Sequence, residues 1–109
     1  MARLSCGVIG LGRLGFKHAQ NIAGRIAGAR LTAAADPAAA MRENLKNQFS
    51  AVEVYEDYHD LVSRGDIDAV VIASSTTTHG AIIMDCLKAG KAVFCEKPVT
   101  LDMDEAERL

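Results

Sequence analysis

Three closely spaced glycines, Gly10, Gly12 and Gly15, separate a short apolar run from a segment with helical periodicity. The apolar run, residues 4–9, is of the kind that is buried on both faces of a parallel sheet. After Gly15, apolar residues recur at the three- and four-residue spacing of an α-helix. A strand that passes through a glycine-rich turn into a helix is typical of a βαβ unit. The stretch therefore predicts an α/β protein with a parallel sheet.

The rest of the chain repeats this alternation of strand and helix. Further short apolar runs predict four more strands, at 30–35, 52–55, 67–73 and 92–95. A last helix is predicted from Asp102, with Glu105 three residues later as in a capping box. Five strands alternating with helices predict a doubly wound parallel sheet, the Rossmann fold, with the first and fourth strands side by side. At 109 residues the chain has room for one domain, residues 1–109.

Charge and cysteine content narrow the environment and the partners. The net charge is −2 with the signs interspersed, so we expect no nucleic-acid partner. No apolar run reaches transmembrane length and the first residues lack the parts of an export signal, so no membrane partner is expected either. Cys6, Cys86 and Cys95 lack the spacing of a zinc site and lie in apolar segments. We interpret them as reduced core residues of a cytoplasmic protein.

The glycine spacing predicts a dinucleotide site where the first strand meets its helix. Gly10 would permit the tight turn, Gly12 would let the backbone approach a pyrophosphate, and Gly15 would let the helix pack closely on the strand. The first N–H groups of the helix are then available to phosphate. We also expect Leu11 and Leu14 of this loop to contact the cofactor. Arg13 is assigned to the same site, where its side chain lies over the cofactor or reaches solvent.

An acidic residue, Asp36, follows Gly15 by 21 residues and ends the second predicted strand. A carboxylate in this position accepts hydrogen bonds from the ribose hydroxyls of NAD and repels the 2′-phosphate of NADP. No lysine or arginine follows Asp36 closely enough to neutralise that phosphate, so the sequence favours NAD over NADP. The alternative role of Asp36 is an ordinary helix cap ahead of Pro37, and the two roles are compatible.

Polar residues also follow the fourth and fifth predicted strands, whose carboxyl ends should lie beside that of the first. The first of these turns offers Ser74, Thr76 and His79 either to the cofactor or to the following helix as a cap. Glu96 and Lys97 are either displayed at the end of the fifth strand or paired in a surface salt bridge. We assign Glu96 to the cofactor site. A lysine beside a positive nicotinamide has a lowered pKa, which suits Lys97 to orient a substrate hydroxyl and join its proton relay.

Taken together, these motifs resemble the N-terminal, NAD-binding domain of the Gfo/Idh/MocA oxidoreductases over nearly the whole chain. The residues that carry the resemblance are Gly10-Leu11-Gly12-Arg13-Leu14-Gly15, Asp36, the turn from Ser74 to His79, and Glu96-Lys97-Pro98. The resemblance implies that the glycine loop and Asp36 bind the cofactor and that Lys97 is catalytic. Arg13-Leu14-Gly15 followed by His18 and Asn21 is most similar to the inositol 2-dehydrogenases of the family. Ser75 and Thr76 depart from the proline and asparagine that are common in the family's turn.

The resemblance implies the cofactor domain of an NAD-dependent dehydrogenase that acts on a CH–OH group of a sugar or an inositol-like cyclic polyol. Family members carry a second, mostly sheet domain with the substrate pocket and the oligomer interface. We therefore expect a chain truncated before that domain, slow turnover by the chain alone, and a homo-oligomer formed through the missing part. The alternative is a non-enzymatic NAD-binding sensor or subunit module, which would need no lysine such as Lys97. A methyltransferase fits the glycine spacing less well.

Overall fold

A computed structural model describes residues 4–24, 28–73 and 79–95 of the chain. Strands and helices alternate along these residues as β1 Leu4–Ile9, α1 Arg13–Gly24, β2 Ala29–Ala35, α2 Ala39–Gln48, β3 Glu53–Tyr55, α3 Tyr58–Val62, β4 Ala69–Ile72, α4 His79–Lys88 and β5 Ala92–Cys95. The strands pair in parallel in the order β3-β2-β1-β4-β5. This confirms the predicted doubly wound sheet with its first and fourth strands adjacent.

Two apolar cores cover the two faces of the sheet. Adjacent strand residues point to opposite faces, and Val8 and Ile9 of β1 are 0% and 3% exposed. Val8 lies in a core with Ile22 of α1 and Leu45 of α2. Ile9 lies in the other core with residues of α3 and α4, including Leu61. Because both faces of β1 need a covering helix, its sequence is apolar at nearly every position.

The structure corrects two predicted boundaries. α2 begins at Ala39 rather than at Pro37, because the Asp36 carboxylate accepts the N–H of Ala38 at 2.8 Å and holds a turn ahead of the helix. β4 is limited to Ala69–Ile72, inside the predicted 67–73. Before it, the carboxylate of Asp68 accepts the N–H of Ser5 at 2.9 Å, so a side chain takes part in the pairing with β1 there.

Two side chains predicted to be buried are not. The spacing of Leu87 from Ile82, Ile83 and Cys86 predicts that it lies on the core face of α4. It is 48% exposed, because those three side chains fill that face. Cys95 is only half-buried on β5, the edge strand of the described sheet. Gly28 predicts that α1 ends near it, and residues 25–27 lie between the described part of α1 and this glycine. The helix predicted from Asp102 falls within residues 96–109. Both of these ranges lie outside the described residues.

Candidate functional site

The carboxyl ends of β1, β2 and β4 meet at one edge of the sheet. The N–H of Gly10 donates to the carbonyl of Ala35 at 2.8 Å, and the N–H of Ala73 donates to the carbonyl of Ile9 at 2.8 Å. These bonds continue the strand pairing one residue beyond the strands and hold the three ends together. A cleft of about 750 Å³ opens at this edge. It lies at the switch point of the sheet, where ligands of doubly wound folds bind.

The ends of four strands and two helices contribute the walls of the cleft. The lining residues are Ile9, Gly10 and Gly12 at the end of β1; Ala35, Asp36 and Pro37 at the end of β2; Glu56 and Asp57 after β3; Tyr58 of α3; Ala73 after β4; and Ile82 of α4. The floor is mostly apolar, while carboxylates stand on the β2 and β3 sides. A ligand with an apolar ring and several hydroxyl groups matches this distribution of surfaces.

The glycine loop is built as its spacing predicts. Gly10 has a φ of 94°, a left-handed conformation that other residues rarely adopt. A Cβ on Gly15 would lie 1.8 Å from the carbonyl oxygen of Gly10, so α1 can approach β1 this closely only with glycine. A Cβ on Gly12 would meet no protein atom within 4 Å and would instead stand in the cleft. The space beside Gly12 thus leaves room for a close ligand at the start of α1.

Asp36 joins the second strand to the glycine loop. One carboxylate oxygen accepts the N–H of Leu11 at 2.7 Å, and the other accepts the N–H of Ala38 at 2.8 Å. A carboxylate can accept about four hydrogen bonds, so these two contacts leave acceptor capacity on a side chain that lines the cleft. The predicted role of Asp36 as a helix cap is wrong, because the N-cap of α2 is Ala38 and Asp36 instead holds the turn before it. These contacts are compatible with a ligand-binding role for the same carboxylate.

An arginine that is six residues away in the sequence lies beside Asp36 in the structure. Arg42 is on α2, and its Nη1 donates to the backbone carbonyls of Asp36 at 2.8 Å and of Pro37 at 3.0 Å. No lysine or arginine immediately follows Asp36 in the sequence. The first turn of α2 brings the guanidinium of Arg42 back to the end of β2. The carboxylate of Asp36 still stands on the cleft side.

The other predicted loop residues divide by burial. The Leu11 side chain is 1% exposed and belongs to the core, so any contact it makes with a ligand comes through its backbone. Leu14 is 51% exposed on the first turn of α1. Arg13 is exposed as well and lines a second, shallower groove between α1 and α2 with Phe16 and other residues. This exposure is compatible with both orientations considered for Arg13, over the cofactor or toward solvent.

The wall after β3 was missed by the sequence analysis. Glu56, Asp57 and Tyr58 line the cleft, yet nothing in their local pattern distinguishes them from a polar turn. His59 lies on a predicted helix, from which we expect a position far from the strand ends; instead it is only four residues after the end of β3. It lies on α3, next to Tyr58, and its Nε2 is 3.4 Å from the carboxylate of Asp85 on α4. The signal that could have found this wall is the topology, which places the end of β3 on the same edge as β1 and β2.

The family model of the Gfo/Idh/MocA proteins, described as an oxidoreductase family with an NAD-binding Rossmann fold, matches residues 4–109. The chain belongs to this family. The resemblance drawn from the glycine loop, the acidic residue and the Glu-Lys-Pro element is thereby confirmed, and so is the NAD-binding class of its fold. The comparisons give no support to the non-enzymatic module.

Relatives with inositol dehydrogenase names are similar over nearly the whole chain. The scyllo-inositol 2-dehydrogenase (NAD(+)) of Bacillus subtilis (strain 168) is 36% identical over 105 residues, which are 96% of this chain and 31% of that protein. The myo-inositol 2-dehydrogenase of Thermotoga maritima is 40% identical over 103 residues, 94% of this chain and 30% of that protein. The chain thus spans about a third of the length of these curated relatives.

A solved structure in the family carries the same fold. The scyllo-inositol dehydrogenase from Lactobacillus casei, solved with bound NAD(H) and scyllo-inositol, superposes with a TM-score of 0.90 at 43% identity. The match covers 97% of this chain and 31% of that one. The likeness therefore concerns about a third of that enzyme's chain.

Several predicted residues of this Gfo/Idh/MocA domain cannot be placed. Ser74, Thr76, Glu96 and Lys97 lie outside the described residues, and His79 is described only as the first backbone position of α4. Their predicted roles stay predictions. What the fold does fix is the position of β4 and β5, the strands that precede these residues, because both strands end at the edge that carries the cleft.

The cysteines and the remaining polar groups show no other chemistry in the described part of the chain. Burial raises the pKa of Cys6 and Cys95, and it raises that of Cys86 to about 11, so these thiols are protonated at neutral pH. Within 4–24, 28–73 and 79–95, no cluster of three or more His, Cys, Asp or Glu residues could hold a metal ion. In the same residues, no helix has the length and apolar character needed to cross a membrane.

Proposed function

We propose that this chain binds NAD in the cleft and acts as the cofactor domain of a dehydrogenase. The observation that carries the proposal is the carboxylate of Asp36, which is fixed by the N–H groups of Leu11 and Ala38 beside the open space at Gly12. Its remaining acceptor capacity suits the two hydroxyls of the adenosine ribose. The pyrophosphate would then lie over Gly12 and the first N–H groups of α1, where the helix end favours negative charge.

The same carboxylate supports a preference for NAD over NADP. A 2′-phosphate would replace a hydroxyl at the position nearest to Asp36, and two negative groups in contact repel each other. Arg42 does not remove this conflict, since its guanidinium is on the backbone carbonyls of Asp36 and Pro37. The names of relatives agree, because the Bacillus subtilis enzyme is called NAD(+)-dependent.

For the reaction, we propose oxidation of a secondary hydroxyl on an inositol-like cyclic polyol or a sugar. Bound NAD⁺ supplies a hydride acceptor. Lys97 is proposed to hold the substrate hydroxyl and to accept its proton as the carbonyl forms, while Ser74, Thr76, His79 and Glu96 contact the cofactor. The support is the inositol dehydrogenase relatives and the place of Lys97, two residues after β5, whose carboxyl end is at the cleft edge.

We also propose a cellular location, a small-molecule partner and an assembly, from the state of the cysteines and from the relatives. A cytoplasmic location agrees with three cysteines that are not joined in disulfides. A sugar or polyol is the proposed small-molecule partner, and a homo-oligomer is the proposed assembly. Gel filtration with light scattering of the protein as its gene encodes it would test the last of these.

The decisive experiment is calorimetric titration of the chain with NAD⁺ and with NADP⁺. We expect NAD⁺ to bind at least about tenfold more tightly, a difference of roughly 1.4 kcal/mol. Asp36→Asn, which keeps the shape but removes the charge, should weaken NAD⁺ binding and reduce the discrimination. Glu56→Gln removes a charge from the same cleft without touching Asp36 and is the matched control, with discrimination retained. Equal affinity for both dinucleotides, or no binding of NAD⁺ by the folded chain, would overturn the proposal.

A second experiment concerns the reaction. Lys97→Ala is expected to abolish oxidation of scyllo- or myo-inositol while NAD⁺ affinity stays within about twofold, because the lysine serves the substrate and not the dinucleotide. The assay follows NADH absorbance in the protein as its gene encodes it. Unchanged turnover in the variant would contradict the role proposed for Lys97.

A further inference from the structure

In the wall of the cleft, one carboxylate of α4 contacts two residues of α3. Asp85 of α4 accepts a hydrogen bond from the hydroxyl of Tyr58, and the same oxygen lies 3.4 Å from Nε2 of His59. The rings of Tyr58 and His59 are stacked, with their centroids 4.1 Å apart and an angle of 28° between their planes. Two neighbouring residues of α3 are thus held to one residue of α4.

Both ring nitrogens of His59 face carboxylates. Nδ1 lies 2.7 Å from Oδ1 of Asp57, the residue that caps α3, and Nε2 faces Asp85. A neutral imidazole carries one N–H and one lone pair, so it can donate to only one of these oxygens. If Nδ1 donates to Asp57, the lone pair of Nε2 points at a negative charge. Only the imidazolium presents an N–H to both oxygens, so the geometry favours the protonated ring.

The charges around His59 act in the same direction. The hydrogen bond to Asp57 raises the pKa of His59, and the negative charges of Asp57, Asp85 and Asp60 add to the effect. These carboxylates come from the turn before α3, from α3 itself and from α4. The ring of His59 is exposed, with 60% of the side chain accessible, so it exchanges protons with solvent directly.

This cluster is continuous with the cleft. Asp57 and Tyr58 line it, and Ile82, three residues before Asp85 on the same face of α4, lines it as well. When His59 is neutral, Asp57 and Asp85 are two uncompensated negative charges in and beside a cleft that is proposed to hold the negatively charged phosphates of NAD⁺. When it is protonated, it offsets that charge and ties α3 to α4, which fixes the positions of Tyr58 and Ile82.

We propose that His59 is a proton-dependent positioning residue: its protonated ring holds the Tyr58–Asp85 wall and increases the affinity of the cleft for NAD⁺. The inference rests on the proposed function, since it concerns NAD⁺ in this cleft. The sign follows from linkage, because a group that favours the ligand when charged gives its contribution at low pH and loses it as pH rises through its pKa. Acidification toward pH 6 therefore strengthens cofactor binding, and alkalinisation weakens it.

Calorimetric titrations of the 109-residue chain with NAD⁺ across a pH series test this inference. Between about pH 6 and about pH 8.5 the Kd is expected to rise about three- to tenfold. His59→Gln, which cannot be protonated, should bind with a Kd that is nearly independent of pH and close to the high-pH value. His18→Gln on α1 is the matched control and should keep the wild-type dependence.

A second variant separates the charge of Asp85 from its structural contact. Asp85→Asn still accepts from the Tyr58 hydroxyl but presents no negative charge to Nε2 of His59. The midpoint of the affinity change, and the midpoint of the His59 ring titration followed by NMR, should both move to lower pH. A merely structural role for His59 would not make the midpoint of the affinity change move together with the ring titration.

The outcomes distinguish this inference from the proposed function. NAD⁺ binding with the same Kd at every pH, or a pH dependence that His59→Gln leaves unchanged, overturns the inference and leaves the proposed function standing. An absence of NAD⁺ binding at every pH overturns both. A pH dependence that disappears in His59→Gln and shifts in Asp85→Asn supports the inference.

Discussion

At the scale of single residues, we expect substitution by alanine to destabilise the fold at one glycine of the loop and not at another. Gly15→Ala places a methyl 1.8 Å from the backbone oxygen of Gly10, so we expect it to destabilise the fold by more than about 2 kcal/mol. Gly12→Ala places a methyl in the open cleft and should leave stability within about 0.5 kcal/mol of wild type. Urea denaturation measures both effects.

The two variants are each other's controls in a binding assay. Gly12→Ala is expected to fold normally and to bind NAD⁺ less tightly, since its methyl takes the place of the approaching pyrophosphate. If Gly12→Ala bound NAD⁺ with wild-type affinity, the pyrophosphate would not lie where we place it. If Gly15→Ala were as stable as wild type, α1 would not approach β1 as closely as described above.

Cofactor choice is also decided at single residues. Asp36→Ser removes the negative charge that opposes a 2′-phosphate and leaves the guanidinium of Arg42 at the same strand end. We expect the variant to gain affinity for NADP⁺ and to lose affinity for NAD⁺, each by about tenfold. Adding Arg42→Ala should cancel the gain for NADP⁺. If the double variant bound NADP⁺ as well as the single one, Arg42 would have no part in the preference.

At the scale of elements, a buried lysine ties the edge of the sheet to a loop. Lys91 precedes β5 and is 6% exposed, and its Nζ donates to the carbonyls of Arg64 at 2.7 Å and Ile67 at 2.8 Å in the connection between α3 and β4. Lys91→Met keeps most of the apolar stem but leaves two carbonyls without this donor. The free energy of unfolding is expected to fall by about 1–3 kcal/mol.

The matched control for this element is Lys88→Met on the exposed end of α4, which should change stability little. Both variants are measured by urea denaturation with the same analysis of slope and midpoint. Equal stability of Lys91→Met and Lys88→Met would contradict the role of Lys91 as a tie between β5 and the loop.

The elements differ in how far their sequence predicts them. β1 and its glycine loop are recognisable because a doubly buried strand, a tight turn and a close helix each restrict the local residues. β4 and β5 follow from the same apolar pattern. The boundaries of α2 and β4 were less accurate, because they depend on the carboxylates of Asp36 and Asp68, which bond to backbone atoms of neighbouring segments.

The parts of the site that lie within one short segment could be predicted from the sequence. The parts that the sheet brings together from distant segments could not. Gly10, Gly12 and Asp36 carry their roles in their spacing. The wall around Tyr58 does not, since it joins the site only because β3 ends at the same edge as β1. The pairing of His59 with Asp85 connects residues of two different helices, and no short-range pattern announces it.

At the scale of the whole molecule, stability should be greatest in a mildly acidic window. The bidentate contact with Arg64 lowers the pKa of Asp66 to about 2, and hydrogen bonds from His59 lower that of Asp57. Such carboxylates contribute fully above an unfolded pKa of about 4 and lose the contribution as pH falls through their folded pKa. His59, with a raised pKa, contributes fully below about pH 6.5 and loses it as pH rises.

The free energy of unfolding is therefore expected to be level between about pH 4 and about pH 6.5 and to decline on both sides. Urea denaturation across this range measures it. Asp66→Asn should weaken the acidic decline and His59→Gln the alkaline one, while Glu43→Gln on α2 serves as a control that changes neither. A stability that rises from pH 6 to pH 8 would contradict the interactions assigned to His59.

An NMR titration of the ¹⁵N-labelled chain tests whether NAD⁺ lies against the glycine loop and Asp36. On addition of NAD⁺ we expect the largest amide shifts at Gly10, Leu11, Gly12 and Asp36. The amides of Gly65 and Asp66, at the opposite edge of the sheet, should hardly move. Saturating NAD⁺ that leaves the four loop amides unshifted, or that shifts mainly residues far from them, would contradict the account.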